Sequence, residues 1–189
     1  MSPPSLADFI IVTSNQTKIR EYGRFAGAGL RIQEGEDLAE VMGSPDEVLI
    51  YKALAAGEGR MVEDAILVID GEPVVDTKYR VSALRRGECA VGTPVIWQVR
   101  LGVLLNGTVY GYLGETPGTI CEMVTPGYGV DPVILVNGVG KSLAQLELEG
   151  EKDTFSARRL AMKAVVEKAP YLHVQASSIS PWQGAYQGE

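Results

Sequence analysis

Phe9-Ile10-Ile11-Val12-Thr13-Ser14-Asn15-Gln16-Thr17-Lys18 (FIIVTSNQTK) is the stretch on which the fold turns. Its first half is a compact β-branched run, the signature of a buried strand. Ser14-Asn15 then breaks the run, and helical character follows from Lys18 to Phe25. Strand, tight loop and helix in that order open an α/β unit. Free backbone amides at the start of such a helix, with the hydroxyls of Thr13 and Ser14, the Asn15 carboxamide and Lys18 close by, suit phosphate oxygens, although an ordinary helix cap has the same appearance.

The remaining elements extend this pattern. Arg31–Gln33 reads as a short second strand. Ser44-Pro45-Asp46-Glu47 opens a helix through Ala56, with Ser44 as cap, Pro45 in the first turn and Gly57 and Gly59 beyond its end. Ala65–Ile69 (AILVI) is a continuous apolar run of the kind buried on both faces, and it delivers Asp70 at its carboxyl end. Pro94–Leu105 and Thr108–Leu113 read as a hairpin turning at Asn106-Gly107. Pro132–Val136 reads as a strand, and Ser156–Lys168 as a helix with Leu160, Ala161, Ala164 and Val165 on one face. The expected architecture is therefore α/β, a twisted mixed β-sheet flanked by helices, in one domain over residues 1–189 with its core at about 9–168 and a loosely held tail at 174–189.

Composition narrows the function classes. A formal net charge of -7 argues against a general attraction to nucleic acid or an anionic membrane, so an anionic ligand must be met by a local basic site. Cys89 and Cys121 form no CxxC pattern, which argues against zinc and against a disulfide framework. The amino-terminal apolar segment is too short for a signal core or a membrane span, and cytoplasmic residence is the expectation.

Several stretches could carry chemistry. Glu40 and Asp70 are acids at loop positions where magnesium shared with phosphates is commonly held, and where an attacking water could lose its proton. Gly127–Val133 (GYGVDPV) joins glycines, an aromatic and Asp-Pro; Gly129 permits close approach of a flat ligand and Tyr128 offers a stacking face. Glu151–Arg159 (EKDTFSARR) brings Lys152, Ser156, Arg158 and Arg159 to a helix start, where basic residues are mildly unfavourable unless a ligand offsets them. Asn137–Ser142 (NGVGKS) ends like a P-loop, but the pattern requires glycine at position 135, which is leucine.

In their order along the chain, over residues 9–168, these stretches resemble the inosine triphosphate pyrophosphatase family, which hydrolyses deaminated purine nucleoside triphosphates to monophosphate and pyrophosphate. TSNQTK resembles the family's T-G-N-x-x-K phosphate loop with Ser14 in place of glycine, and Glu40 with GSPDEVLIYKA resembles its metal-binding glutamate and following helix. LGETPGTI (Leu113–Ile120) is similar to its G-x-x-x-G-x-I segment, GYGVDP to its base-binding turn, and EKDTFSARR to its E-K-N-x-x-S-H-R signature.

The chain departs from that pattern at four further places. The acidic pair appears as Ile69-Asp70, the signature histidine as Ala157 and the aromatic of the base turn as Val130. Residues 71–93 differ from the family's segment and carry Glu72, Asp76, Lys78, Tyr79, Arg80, Arg85 and Arg86, of which Glu72 is a candidate to restore the acid and Arg85 or Arg86 to meet phosphate.

The resemblance implies a Mg2+-dependent hydrolase of purine nucleoside triphosphates and a homodimer. It assigns Thr13, Ser14, Asn15 and Lys18 to the phosphates, Glu40 and Asp70 to the metal, and Asp70 with Lys18 to catalysis. Tyr128, Gly129, Asp131, Lys152, Ser156 and Arg158 fall to the base. A nucleotide-binding paralogue without catalysis, or one acting on another phosphorylated substrate, is the alternative that Ile69 and Ala157 suggest.

Overall fold

The computed structural model describes residues 2–25 and 29–189. β1 (Ile10–Thr13) leads into α1 (Gln16–Phe25), and β2 (Ile32–Glu34) precedes α2 (Pro45–Ala56). β3 (Arg60–Ile69), β4 (Glu72–Val74), α3 (Thr77–Arg85), β5 (Pro94–Leu105) and β6 (Thr108–Ile120) form the middle of the chain. β7 (Ile134–Val136), α4 (Leu143–Leu148), α5 (Lys152–Phe155), α6 (Ala157–Val166) and β8 (Leu172–Gln175) complete it. The sheet runs β2-β1-β3-β5-β6-β7, with β4 on β3 and β8 on β6. β1 pairs parallel with β2 and β3, and every other ladder is antiparallel. The expected α/β mixed sheet is thus what the chain forms.

Local chemistry explains the elements that position the site. Ser44 Oγ accepts from Glu47 N at 3.2 Å while Glu47 Oε1 accepts from Ser44 N at 2.9 Å, a reciprocal cap that fixes where α2 begins. Asn106 and Gly107, at φ 49° and 77°, make the two-residue turn expected between β5 and β6. Asp70 and Gly71, at φ 50° and 83°, make the same turn between β3 and β4. Asp-Gly is as strong a hairpin signal as Asn-Gly, and Asp70 is exposed at the tip.

α2 and α6 cover opposite faces of the sheet. A Cβ on Gly111 of β6 would meet Leu49 of α2 at 3.1 Å, whereas one on Gly114 would meet the Ala157 carbonyl oxygen at 2.0 Å and the Ala161 nitrogen at 2.4 Å. Positions 111 and 114 lie an odd number of residues apart and so point to opposite faces. At Gly118 a Cβ would lie 2.3 Å from the Leu135 carbonyl oxygen of β7. The two glycines of the G-x-x-x-G segment therefore let a helix and a strand approach β6 at backbone distance. The main core, around Phe9, Ile11, Tyr22, Met61, Leu67, Val99, Leu101 and Tyr112, is continuous with the apolar face of α6.

The carboxyl-terminal segment is not the loosely held tail expected from its composition. β8 pairs with β6 from Thr108↔Gln175 to Gly111↔Leu172, and Tyr186 bridges antiparallel to Val41.

Because the close approach at Gly114 is to backbone, which cannot swing aside, Gly114→Ala is expected to cost about 3 kcal/mol or more in urea unfolding. Gly23→Ala, in an exposed part of α1 where an added Cβ meets nothing within 4 Å, is expected to stabilise by roughly 0.5–1 kcal/mol.

Candidate active site

β1 and β3 run side by side and parallel, and the loops at their ends open onto a cleft of about 630 Å³. Thr13, Ser14, Asn15 and Lys18 form one wall, residues 33–38 and Glu40 another, and Lys52, Arg60, Glu63, Lys78 and Tyr128 close the remainder. The loop leaving β1 is ordered by its own side chains. Asn15 N donates to Thr13 Oγ1 at 3.2 Å, Lys18 N donates to Asn15 Oδ1 at 3.1 Å, and the Asn15 amide donates to the Tyr128 hydroxyl. Ser14 Oγ donates to Asp37 Oδ1 at 2.7 Å, which lowers the Asp37 carboxyl below its ordinary range. The phosphate-loop residues singled out in the sequence thus share one wall, and Tyr128 reaches them from a distant turn.

Two groups of charge meet in the cleft. In the first, Glu40 is held by Lys52 at 2.8 Å and by Lys78 at 3.3 Å. Burial alone would raise its carboxyl, but the two ammonium groups more than offset this and lower it. In the second, Lys18 lies 3.2 Å from Glu63, which also accepts from Arg158 Nε and Nη2 at 2.8 Å each and from the Tyr22 hydroxyl. Against burial, Arg158 and Lys18 hold Glu63 far below the usual carboxylate range.

Asp64, next along β3, has the opposite character. It is 4 % exposed, and its Oδ2 has no hydrogen-bond partner among the described residues. Burial pushes its pKa up to about 6, with Lys52 pulling it down and Glu40 adding to the rise. An unpartnered buried carboxylate oxygen is costly in a folded chain, and such groups cluster where chemistry is done.

A smaller pocket of about 120 Å³ opens beside the cleft and shares Lys18, Lys78 and Tyr128 with it. Its walls are apolar, Ile66, Leu67, Val81 and Trp97 among them, and Gly129, Val130, Asp131 and Arg158 also line it. Beneath lies a buried ion network. Lys152 bonds Asp131 at 2.6 Å and Glu21 at 2.9 Å, and Arg158 Nη1 reaches Glu21 at 2.9 Å. The cations sit 5.4 and 5.3 Å from the Trp97 ring centre.

Several assignments made from the sequence change place. Asp70 does not line the cleft: it turns the β3–β4 hairpin, and at about 3.3 Å per residue the strand carries it roughly 20 Å from Glu63. Glu72 pairs with Ile69 in that hairpin, so it does not restore an acid to the site. The consecutive acids of that strand are Glu63, which lines the cleft, and the buried Asp64, which lines neither pocket but feels the charges of Lys52 and Glu40. Lys152 and Ser156 line neither pocket. Lys152 is 2 % exposed and paired with Asp131 and Glu21, while buried Ser156 caps α6 by accepting from Arg159 N at 3.3 Å. Arg158 borders the small pocket with its guanidinium committed to Glu21 and Glu63, and Arg159 is exposed. Arg85 braces the Tyr128 turn through the Gly127 and Gly129 carbonyls at 3.1 and 3.3 Å, and Arg86 pairs with Glu88 on the surface. Lys52, Lys78 and Glu63 line the cleft although no motif in the sequence marked them for it, and Asp64 adjoins them as a buried neighbour.

The described cleft residues hold more acid than base: Glu34, Glu36, Asp37, Glu40 and Glu63 against Lys18, Lys52, Arg60 and Lys78. A polyphosphate in such a cleft would meet repulsion from the carboxylates that a bound cation relieves. Among the described residues no three His, Cys, Asp or Glu side chains converge as a closed metal shell. Glu40, which lines the cleft, supplies hard oxygen donors of the type that magnesium shares with phosphates and water.

No family model matches the chain. It is 29% identical over 174 residues to a dITP/XTP pyrophosphatase of Pyrococcus horikoshii, an alignment covering 82% of this chain and 93% of that protein. It is 32% identical over 77 residues to a dITP/XTP pyrophosphatase of Aliarcobacter butzleri, covering 40% and 38% of the two chains. The fold is shared with the Ham1 protein of Staphylococcus aureus, at a TM-score of 0.61 and 20% identity over 83% of this chain and 96% of that one. A HAM1 protein from Coxiella burnetii superposes with a TM-score of 0.60 at 20% identity, covering 84% and 97%. Over most of its length the chain is thus similar to a dITP/XTP pyrophosphatase, and it shares the fold of the Ham1 proteins.

Proposed function

We propose that the protein is a nucleoside triphosphate pyrophosphatase that hydrolyses a purine nucleoside triphosphate, in ribose or deoxyribose form, to the monophosphate and pyrophosphate. The substrate class rests on the names of the Pyrococcus and Aliarcobacter relatives. The observation that carries the chemistry is the contrast between Glu40, paired with two lysines, and Asp64, buried with an unpartnered oxygen beside the same Lys52 charge.

In this reading Thr13, Ser14, Asn15 and Lys18 bind the phosphate chain from the β1 side, and Lys52 and Lys78 bind it from the Glu40 side. Glu40 would hold magnesium together with the phosphate oxygens, and the ion would supply charge neutralisation there. Asp64 takes the proton from a water as the water oxygen bonds to the α-phosphorus. The bond from that phosphorus to the bridging oxygen breaks, and the electron pair leaves with pyrophosphate. A carboxyl near 6 is ionised at neutral pH yet basic enough to accept that proton. Tyr128 stacks on the base, which enters the small pocket past Gly129 towards Asp131. Lys152, Ser156 and Arg158 act from behind, holding Asp131, the start of α6 and Glu63 in place. Ile69, with Ala157, pointed towards a chain without catalysis, and in this reading the Glu63-Asp64 pair supplies the acids in place of residues 69 and 70.

No described helix is long and apolar enough to cross a membrane. Cytoplasmic residence and a homodimer belong to the same proposal.

Pyrophosphate release from a panel of inosine, xanthosine and standard nucleoside triphosphates, with and without magnesium, tests the function. Turnover of at least one purine triphosphate in magnesium is expected; nucleotide binding with no release from any of them would make the protein a nucleotide-binding member without catalysis.

Asp64→Asn is expected to lower kcat about a hundredfold or more with little change in KM, while Asp70→Asn stays within about twofold of wild type. The same Asp64 change has a sign on stability. A carboxyl raised from 3.8 to about 6 on folding binds more protons folded than unfolded, so stability falls as pH rises through that window. Asp64→Asn is therefore expected to stabilise the ligand-free protein by about 2 kcal/mol above pH 6, with the gain vanishing below pH 4. Thermal melts across pH measure it, and equal melting temperatures at pH 8 would refute it.

A further inference from the structure

The carboxyl-terminal residues beyond β8 lie outside the stretches that carry the resemblance, yet they converge on the Lys52–Glu40–Lys78 cluster from behind. Among the described residues, the hydrogen bonds to the main chain of 40–42 come from this tail. Met42 N donates to the Ala185 carbonyl at 2.9 Å, Gln187 N to the Glu40 carbonyl at 2.8 Å, and the Gln187 amide to the Val41 carbonyl at 3.2 Å. The loop bearing Glu40 thus has its backbone fixed by the tail.

The other two members of the cluster are held in the same way, through a sequence neighbour. Tyr51, just before Lys52, donates its hydroxyl to the Ser180 carbonyl and meets Trp182 edge to face at 5.3 Å. Tyr79, just after Lys78, sits against Gly188, where an added Cβ would lie 2.8 Å from its hydroxyl. Trp182 is itself locked, its indole N–H donating to the Ala185 carbonyl at 2.9 Å and its ring leaving no room for a Cβ on Gly43 or Gly184. None of residues 179–189 lines the cleft, so the tail does not occupy the site.

We propose that Ser180–Gly188 form a strap whose role is to set the mutual positions of Glu40, Lys52 and Lys78 for a polyphosphate, with Trp182 and Gln187 as positioning residues. This rests on reading the cleft as a triphosphate site. Left to itself, a loop with no ladder partner would spread over many conformations, and ordering it at the moment of binding would cost affinity. The strap meets that cost during folding, and it moves three charged side chains as one unit although they come from a loop and two separate helices.

Calorimetric titration of the full-length protein with inorganic tripolyphosphate in magnesium buffer tests the strap. Trp182→Ala and Gln187→Ala are expected to weaken Kd about tenfold with binding stoichiometry unchanged. Trp182→Phe, which keeps an aromatic edge for Tyr51, and Gln183→Ala, which removes a side chain bonded only within the tail, are expected to stay within about twofold. A merely structural tail would lower stoichiometry through loss of folded protein and leave Kd alone. Unchanged Kd in both alanine variants, with or without such a loss, overturns the strap while leaving the function standing. Absence of binding by the wild-type protein overturns the polyphosphate reading and the strap with it.

Discussion

Arg158 is the residue on which the site's architecture depends. It is 3 % exposed, and its guanidinium spans Glu63 of β3 and Glu21 of α1, while Lys152 joins Glu21 to Asp131 and Lys18 joins Glu63 to the cleft. Three carboxylates and three cations thus come to near neutrality inside the protein, and each element that contributes one is fixed relative to the others. Removing one member would strand its partners without water; for a buried pair the loss is typically about 3–5 kcal/mol, larger than the pair's net gain over an apolar substitute. The network is consequently better understood as a register device than as a source of stability. It sets the angle at which α1 presents its first turn and holds the Gly127–Val133 turn through Asp131.

The close approach of α6 to β6 makes this network possible. Without a side chain at Gly114, the α6 backbone lies directly on the sheet, and Arg158 reaches Glu63 across the next strands. Ala157, at the place of the family's histidine, is 0 % exposed in that contact. Packing and electrostatics are therefore not separate here, because the helix that buries the main core's edge also delivers the charge that holds β3.

Some of this was legible from single stretches. The β1 loop could be read because strand, break and helix are adjacent in the chain, and α2 because Ser44, Pro45 and Glu47 carry their capping chemistry within four residues. Asp70 misled because the strand reading began at Ala65 and attached weight to the acid at its end. The Asp-Gly pair there has the same turn chemistry as Asn106-Gly107. Glu63-Asp64 was hidden for the complementary reason: two consecutive acids look solvated unless their partners are known, and Arg158 lies 95 residues from Glu63. Lys152 and Arg158 likewise read as an exposed basic cluster because Glu21 and Asp131, which neutralise them, stand far off in sequence. The tail's attachment depends on backbone pairing with residues 40–42, which composition does not encode.

The two carboxylates that feel Lys52 show how one neighbourhood can serve two tasks. Glu40 is less completely buried and has two ammonium groups against it, so it remains anionic through the physiological range. Asp64 is deeper, lacks a partner for one oxygen and feels the negative charge of Glu40, so its proton affinity rises. Environments that drive neighbouring acids in opposite directions are how a protein obtains both a fixed charge and a proton acceptor from the same side-chain chemistry. In the proposed hydrolysis Glu40 is the fixed charge and Asp64 the acceptor. The separation depends on keeping Lys52 and Lys78 on Glu40 rather than on Asp64, since an ammonium group moved to Asp64 would lower its basicity and satisfy its free oxygen. The position of the Glu40 loop thus governs the proton affinity of a residue on another element, and anything that fixes that loop acts on the chemistry without touching the substrate.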